Sequence, residues 1–381
     1  MNLTANWSYP TAIRFGAGRI NELADACGAA GIRRPLLVTD RALAELPIAQ
    51  AALDLLDEAG LGRALFDGVD SNPTEKNLTA GVAAFNAGDH DGVVAFGGGS
   101  GLDLGKLVAF MAGQSRPVWD FEDVGDCWTR ADADAIFPNV AVPTTAGTGS
   151  EVGRAGVLVN SETHVKKIIF HPKVLPSVVI CDPELTVGMP KIITVGTGMD
   201  AFAHCLEAYC SPFYHPLSQG IAVEGLRLVK ENLPRVVADP TDIEARSHMM
   251  SAAAMGATAF QKGLGAIHAL SHPVGALYNT HHGMTNAVVM PTVLRFNRPA
   301  IEERLSTAAA YLGIGDDFDS FYDYVIELRA EIGVPDKLAA LGVDDARIDD
   351  MAAAAIEDPC AAGNPVELTI GAAKNLYEDA I

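Results

Sequence analysis

No uninterrupted apolar run in this 381-residue chain approaches the roughly 20 residues that a membrane-spanning helix needs. The N-terminal stretch MNLTANWSYPTAIRFGAG has no basic region followed by an apolar one, so no secretory signal is expected. Six cysteines, at 27, 127, 181, 205, 210 and 360, include no C-x-x-C pair. That scatter suits reduced, mostly buried thiols in a cytoplasmic protein. Basic charge is scarce as well: 27 Lys and Arg face 48 Asp and Glu, for a net charge of −21. No basic stripe is present to meet a phosphate backbone, which argues against nucleic acid or an anionic membrane as partner. Internal repeats and low-complexity linkers are absent too.

The 49% hydrophobic and 20% charged content is that of a chain with well-formed cores, and the length suits two domains. In residues 1–187, short β-rich runs alternate with alanine-rich helical patterns. Pro35–Thr39, Gly92–Phe96, Val140–Pro143 and Val178–Cys181 are nearly continuous in apolar residues, as strands buried on both faces of a parallel sheet are. Helical spacing over Arg19–Ala30 and Leu43–Ala59 completes an α/β, Rossmann-like nucleotide-binding domain. Beyond about Gly188 the strand signals fade. Thr197–Tyr209, Ser218–Asn232, Asp242–Phe260, Ile301–Leu312 and Ser320–Glu331 read as helices punctuated by prolines and glycines. Residues 188–381 are therefore expected to form an all-α domain, with a cleft where the strand ends meet the helix carrying His204.

Three strand ends carry chemistry, and ligands of doubly wound sheets bind at such ends. Asp40 follows the first strong strand; its carboxylate could take ribose hydroxyls, or serve as a turn or helix N-cap. Gly97-Gly98-Gly99-Ser100-Gly101-Leu102-Asp103 follows the second and opens a helix. Glycines there admit a pyrophosphate to free N–H groups at a helix N-terminus. The loop lacks the third glycine of G-x-G-x-x-G, and Gly105-Lys106-Leu107 does not end a Walker A loop, so it is a phosphate cradle of another kind or a tight turn. The third end, Pro143-Thr144-Thr145-Ala146-Gly147-Thr148-Gly149-Ser150-Glu151, offers hydroxyl and backbone donors with little bulk.

Four of the ten histidines fall in Gly263–Gly283, GLGAIHALSHPVGALYNTHHG: His268, His272, His281 and His282. Apolar helices rarely carry so many polar rings without a purpose. Upstream, Asp200 and His204 stand at i and i+4 on one helix face, and His268 and His272 repeat the spacing. Asp200, His204, His268 and His282 together offer one carboxylate and three imidazoles, a set suited to Fe(II), Zn(II) or Co(II). A bend near Pro273 and Gly275 is expected between His268 and His282. The adjacent His281 and His282 cannot both face one ion. Histidines 90, 164, 171, 215 and 248 read as surface residues, and Cys205 and Cys210, which flank the His204 region, as buried packing or else as groups near a metal.

The pieces GGGSGLDLGK, PTTAGTGSE, DPELT, GMDAFAHCLEAY and GLGAIHALSHPVGALYNTHHG resemble the iron-dependent (group III) alcohol dehydrogenases, from about Tyr9 to the NPVELT segment. The resemblance implies the dehydroquinate-synthase-like fold. It implies that Asp200, His204, His268 and His282 hold the metal, Fe(II) or in some members Zn(II). Asp40 then matches the carboxylate associated with NAD. Gly98, Gly99, Ser100 and Asp103 match the pyrophosphate loop, Thr144, Thr145 and Thr148 the nucleotide-contacting loop, and Lys166 a lysine near the cofactor. His272 matches a histidine beside the nicotinamide that does not bind the metal. Gly153 stands where many members have threonine, and His281 where a proline often precedes the ligand histidine.

The implied activity is reversible hydride transfer between a small primary alcohol and NAD, with the metal as Lewis acid on the alcohol oxygen. His272 is the candidate proton relay, or else a packing residue. A polyol or ω-hydroxyacid dehydrogenase of the same fold is the alternative, with Lys262 and Arg154 as candidate partners of a substrate carboxylate or else solvated surface charges. A cyclising lyase would need more basic residues near the metal. A catalytically inactive metal- and nucleotide-binding subunit is the rival from another class. A homodimer or higher homo-oligomer is expected.

Overall fold

Apolar runs too short for helices, bounded by turn residues, become the strands of one parallel sheet. The computed structural model describes residues 9–163 and 165–381; residues 1–8, part of the stretch read for a secretory signal, and His164 lie outside them. The described chain falls into two compact units: Tyr9–Thr145 with Gly149–Val187, and Ala146–Thr148 with Gly188–Ile381.

In the first unit the elements run β1 (Ala12–Phe15), α1 (Leu23–Ala29), β2 (Pro35–Asp40), α2 (Arg41–Ala44), α3 (Pro47–Glu58), β3 (Leu65–Val69), α4 (Glu75–Ala87), β4 (Gly92–Gly97), α5 (Gly99–Met111), β5 (Asn139–Pro143), β6 (Ala155–Val159), β7 (Lys166–Phe170) and β8 (Val178–Cys181). Six strands form a sheet in the order β1-β8-β5-β4-β2-β3, parallel throughout. The antiparallel β6–β7 hairpin stands apart. The four expected strands are all present. They are the buried ones, and Leu37, Val94, Phe96, Val140, Val142 and Ile180 build the core beneath α1 and α3. The expected helix over 43–59 is two, because Pro47 has no N–H for a continuing turn and instead occupies the first turn of α3.

The strand order sets the site. From β2 the chain crosses to β3 on one side and then to β4 on the other, so β2 and β4 flank a switch point. The crevice at the carboxyl ends of such neighbours is where ligands of open α/β sheets bind.

The second unit is helical: α6 (Lys191–Cys210), α7 (Pro216–Ala238), α8 (Ile243–Ala259), α9 (Ala266–Tyr278), α10 (His282–Leu312), α11 (Phe318–Ile332), α12 (Ile348–Glu357) and α13 (Ile370–Ala380). Three expectations need correction. First, α6 starts at Lys191, six residues before the expected Thr197. Second, α10 runs unbroken for 31 residues through Pro291 and Pro299, where prolines were expected to divide helices. An interior proline costs a helix about 3 kcal/mol; the buried Val288, Val289, Met290, Val293 and Leu294 around Pro291 offset it. Third, the break between His268 and His282 falls at Asn279, left-handed at φ 53, rather than at Pro273, which lies inside α9.

Candidate active site

On the sheet side, the three signalled strand ends lie on adjacent strands. Gly97, the last residue of β4, pairs with Pro143 of β5, and the Thr144 N–H donates to the Gly97 carbonyl at 2.9 Å. Gly97 has φ +146, a conformation that disfavours any side chain. Gly98 is the N-cap of α5 and packs against the Thr145 side chain, where an added Cβ would lie 3.2 Å from Cγ2. The first turn of α5 therefore starts at the end of β4 on a glycine N-cap that places no side chain of its own over the N–H groups.

The individual candidates divide by what they touch. Asp40 caps α2, its Oδ1 accepting from the Leu43 N–H at 2.9 Å. Ser100 Oγ donates to the Ser71 carbonyl at 2.6 Å. Asp103 accepts from Ser150 Oγ at 2.5 Å and from the Val157 N–H at 3.1 Å, which fastens α5 to the loop after β5 and to β6. The buried Lys106 works beside it, donating from Nζ to the carbonyls of Ser150 and Ala155. Thr144 is buried, Thr145 half-buried, and Lys166 opens β7. Thr148 belongs with the helical unit.

In the helical unit, Asp200 and His204 share a face of α6, His268 sits in the first turn of α9, and His282 opens α10. The structure brings donor atoms of Asp200, His204 and His268 within 4.8 Å of one another, and His282 stands beside Asp200 without joining that mutual group. Asp200 Oδ1 lies 3.8 Å from His204 Nε2, 3.7 Å from His268 Nε2 and 3.5 Å from His282 Nε2. Ligands each about 2.1 Å from a shared tetrahedral ion would stand about 3.4 Å apart, a spacing that the three distances from Asp200 Oδ1 approach. Asn286, one turn after His282, points its Nδ2 into the same space, 2.8 Å from Asp200 Oδ1 and 3.2 Å from His282 Nε2. Burial alone would raise the Asp200 carboxyl, but the rings of His204, His282 and His268 outweigh it and hold it far below the usual carboxylate range. Burial pushes His204 down to about 4 against the pull of Asp200.

Two histidines of the same stretch stand apart from this set. His272 packs against His282, ring centroids 5.2 Å apart, but its Nδ1 is turned to Asp358 Oδ2 at 2.7 Å. His281 is the N-cap of α10, its Nδ1 accepting from the Met284 N–H. Two expected surface histidines are buried for the same reason. His171 accepts from the Lys173 N–H and His215 from the Ser218 N–H, each capping a helical turn with Nδ1.

Lys262 and Arg154, read as partners for a substrate carboxylate, are engaged elsewhere. Lys262 is 2% exposed, and its Nζ donates to the Tyr209 carbonyl in the last turn of α6. Arg304 joins it there, donating to Tyr209, Cys210 and Ser211, so two cations cap the carbonyl end of that helix. The Arg154 guanidinium lies 5.3 Å over the Phe170 ring.

The sequence reading missed Glu207, Asn286 and Asp358, each of which touches a candidate histidine. Glu207 had a signal: Asp200, His204 and Glu207 follow i, i+4, i+7, one stripe of a helix. Asp358 lies 86 residues beyond His272, and no spacing rule reaches that far.

Comparison with known proteins places both units. Residues 10–183 match the family model "iron-containing alcohol dehydrogenase", and residues 194–381 match the C-terminal model of the Fe-containing alcohol dehydrogenase family. The chain is 38% identical to 4-hydroxybutyrate dehydrogenase of Cupriavidus necator, covering 98% of this chain and 99% of that one. It is 36% identical to 1,3-propanediol dehydrogenase of Klebsiella pneumoniae over 92% of each. The crystal structure of a 1,3-propanediol oxidoreductase superposes with a TM-score of 0.94 at 34% identity, covering 99% of this chain and 100% of that one. On both halves of its length, the chain belongs to the iron-containing alcohol dehydrogenase family.

Proposed function

We propose that the protein is an NAD(H)-linked, metal-dependent alcohol dehydrogenase that interconverts a small primary alcohol and its aldehyde. The observation that carries this reading is the convergence of Asp200 Oδ1 with Nε2 of His204, His268 and His282 at ligand–ligand spacing. Those four side chains would hold Fe(II), with Zn(II) as the alternative. When bound, the metal supplies a Lewis acid for the alcohol oxygen. The nicotinamide would supply the hydride acceptor.

The chain's own residues do the rest. Gly98, Gly99 and Ser100 present the opening turn of α5 to the pyrophosphate. Asp40 has one carboxylate oxygen on Leu43, and the other suits a ribose hydroxyl. Thr144, Thr145, Thr148 and Lys166 complete the nucleotide contacts in this reading, while Asp103 shapes the loop through Ser150 and Val157. His272 takes or returns a proton at Nε2, since its Nδ1–H is committed to Asp358.

A second reading, an ω-hydroxyacid substrate, is favoured by the similarity to 4-hydroxybutyrate dehydrogenase along nearly the full length. The cation for such a carboxylate would have to be one other than Lys262, which is spent on α6. A cytoplasmic location fits six free cysteines and described helices none of which is long and apolar enough to cross a membrane. A homodimer or larger homo-oligomer belongs to the same proposal.

The test is anaerobic purification, elemental analysis and a substrate panel read by NADH absorbance. One metal per chain and NAD-dependent oxidation of short primary alcohols are expected, with both lost in Asp200→Ala and His204→Ala. Preference for a four-carbon ω-hydroxyacid over the simple alcohol would select the second reading. Full activity and metal content in both variants would refute both.

A further inference from the structure

Glu207 makes two contacts with one buried carboxylate. Oε1 accepts the Ile267 N–H at 2.6 Å, and Oε2 accepts Nδ1–H of His268 at 2.5 Å. Its side chain is 6% exposed and His268's 2%, so neither contact competes with water. Gly265 leaves the room: a Cβ there would lie 3.1 Å from Glu207 Oε1 and 2.9 Å from Asn364 Oδ1. An imidazole that ligates through Nε2 must carry its proton on Nδ1, and a carboxylate accepting that proton fixes the tautomer and the ring's angle and strengthens the donor.

We infer that Glu207 is a positioning residue for the metal centre, acting through His268, an inference that rests on Asp200, His204, His268 and His282 being the ligands. The geometry makes it more than a helix dock. The first N–H groups of α9 are taken by two side chains: Ala266 N–H by Asn364 Oδ1 at 3.0 Å, and Ile267 N–H by Glu207. Asn364 is tied in turn to Asn297 and to the Val366 carbonyl. Both side chains seat the helix that carries His268; only Glu207 touches the imidazole. One stripe of α6 thus carries two ligands, Asp200 and His204, and the group that aims a third.

Glu207→Gln is isosteric but cannot serve both donors. With its amide N–H₂ toward His268, it demands the Nε2–H tautomer and puts a proton where the metal's lone pair must be. With the N–H₂ toward Ile267, it leaves that N–H unpaired and offers His268 only a neutral acceptor.

The experiment titrates Zn(II) and Co(II) into the metal-stripped full chain against a competing chelator, with thermal unfolding recorded on the same samples. Glu207→Gln and Glu207→Ala should raise the dissociation constant by about 10- to 100-fold. Asn364→Ala should lower the melting temperature yet leave that constant within about twofold, because it removes a cap without touching the ring. Having both Glu207 variants keeps the test open if one folds poorly. If the native chain binds neither ion, or Asp200→Ala binds as well as native, the ligand reading itself fails. If native binds, Asp200→Ala does not, and the Glu207 variants keep native affinity, the inference alone is overturned. Equal loss of affinity in Asn364→Ala would also overturn it, since seating α9 would then be the whole effect.

Discussion

His171, His215 and His281 each sit at the start of a helical turn with Nδ1 accepting a backbone N–H. A ring doing this must be neutral, because protonation removes the lone pair that caps. Burial, with Lys262 adding to it, depresses His215 below the ordinary histidine value, and burial with Lys173 does the same for His171. A depressed folded-state value means that unfolding takes up protons once the pH is below the unfolded value of about 6.5. The stability from these caps is therefore complete above that pH and declines as the pH falls toward the folded value. The melting temperature of the native chain should therefore fall between about pH 7 and pH 5. His215→Asn keeps a capping acceptor that does not titrate, so its melting temperature should fall less over the same range. His215→Ala, with no acceptor, should cost about 1 kcal/mol already at neutral pH. Parallel pH-dependence in native and His215→Asn would show that His215 contributes nothing to the decline.

At the scale of elements, two glycines set how closely α6 and α10 approach. A methyl at Gly283 would overlap the Gly196 carbonyl and reach within 2.9 Å of the Asp200 Cβ, and one at Gly196 would overlap the His281 ring. That approach is what lets His282, beside Gly283, stand against Asp200. Gly283→Ala should cost about 3 kcal/mol or more, because backbone rather than a rotatable side chain must move. Gly275 in α9 has open space around it, and Gly275→Ala should stabilise by about 0.5–1 kcal/mol. Urea midpoints at unchanged slope would measure both; equal, small effects would mean that the α6–α10 contact relaxes freely. Elements differ likewise in how legible they are. The four central strands could be read because burial on both faces makes them continuously apolar, whereas β1 and β3, half-exposed, carry no such run. Asp200 and His204 could be paired from spacing because one helix carries them. Glu207 with His268, 61 residues apart, and His272 with Asp358, 86 apart, are made by tertiary packing that no local pattern encodes. Lys262 shows the converse: its charge suggested a substrate, and only the fold shows it spent on the carbonyl end of α6.

For the whole molecule, ligand chemistry falls to different segments: the candidate metal donors lie on α6, α9 and α10, and the glycine loop lies between β4 and α5. A ligand that binds only the folded form stabilises it by mass action, about 2.7 kcal/mol when its free concentration is 100 times its dissociation constant. That stabilisation is local when the donors are local, because segments open to exchange in separate cooperative units. With the four candidate donors on three separate helices, removing an ion they hold would free the first turns of α9 and α10 from the face of α6 and leave an ionised carboxylate among imidazoles. Hydrogen exchange should therefore speed up, on chelation, in the first turns of α9 and α10 and around Asp200 in α6, while β2, β4 and β5 exchange as before. Adding NAD to the chelated protein should slow exchange at Gly98–Asp103 in α5 without restoring α9. A uniform change across both units on chelation would contradict local binding at these four residues and would point to a metal that acts on the fold as a whole.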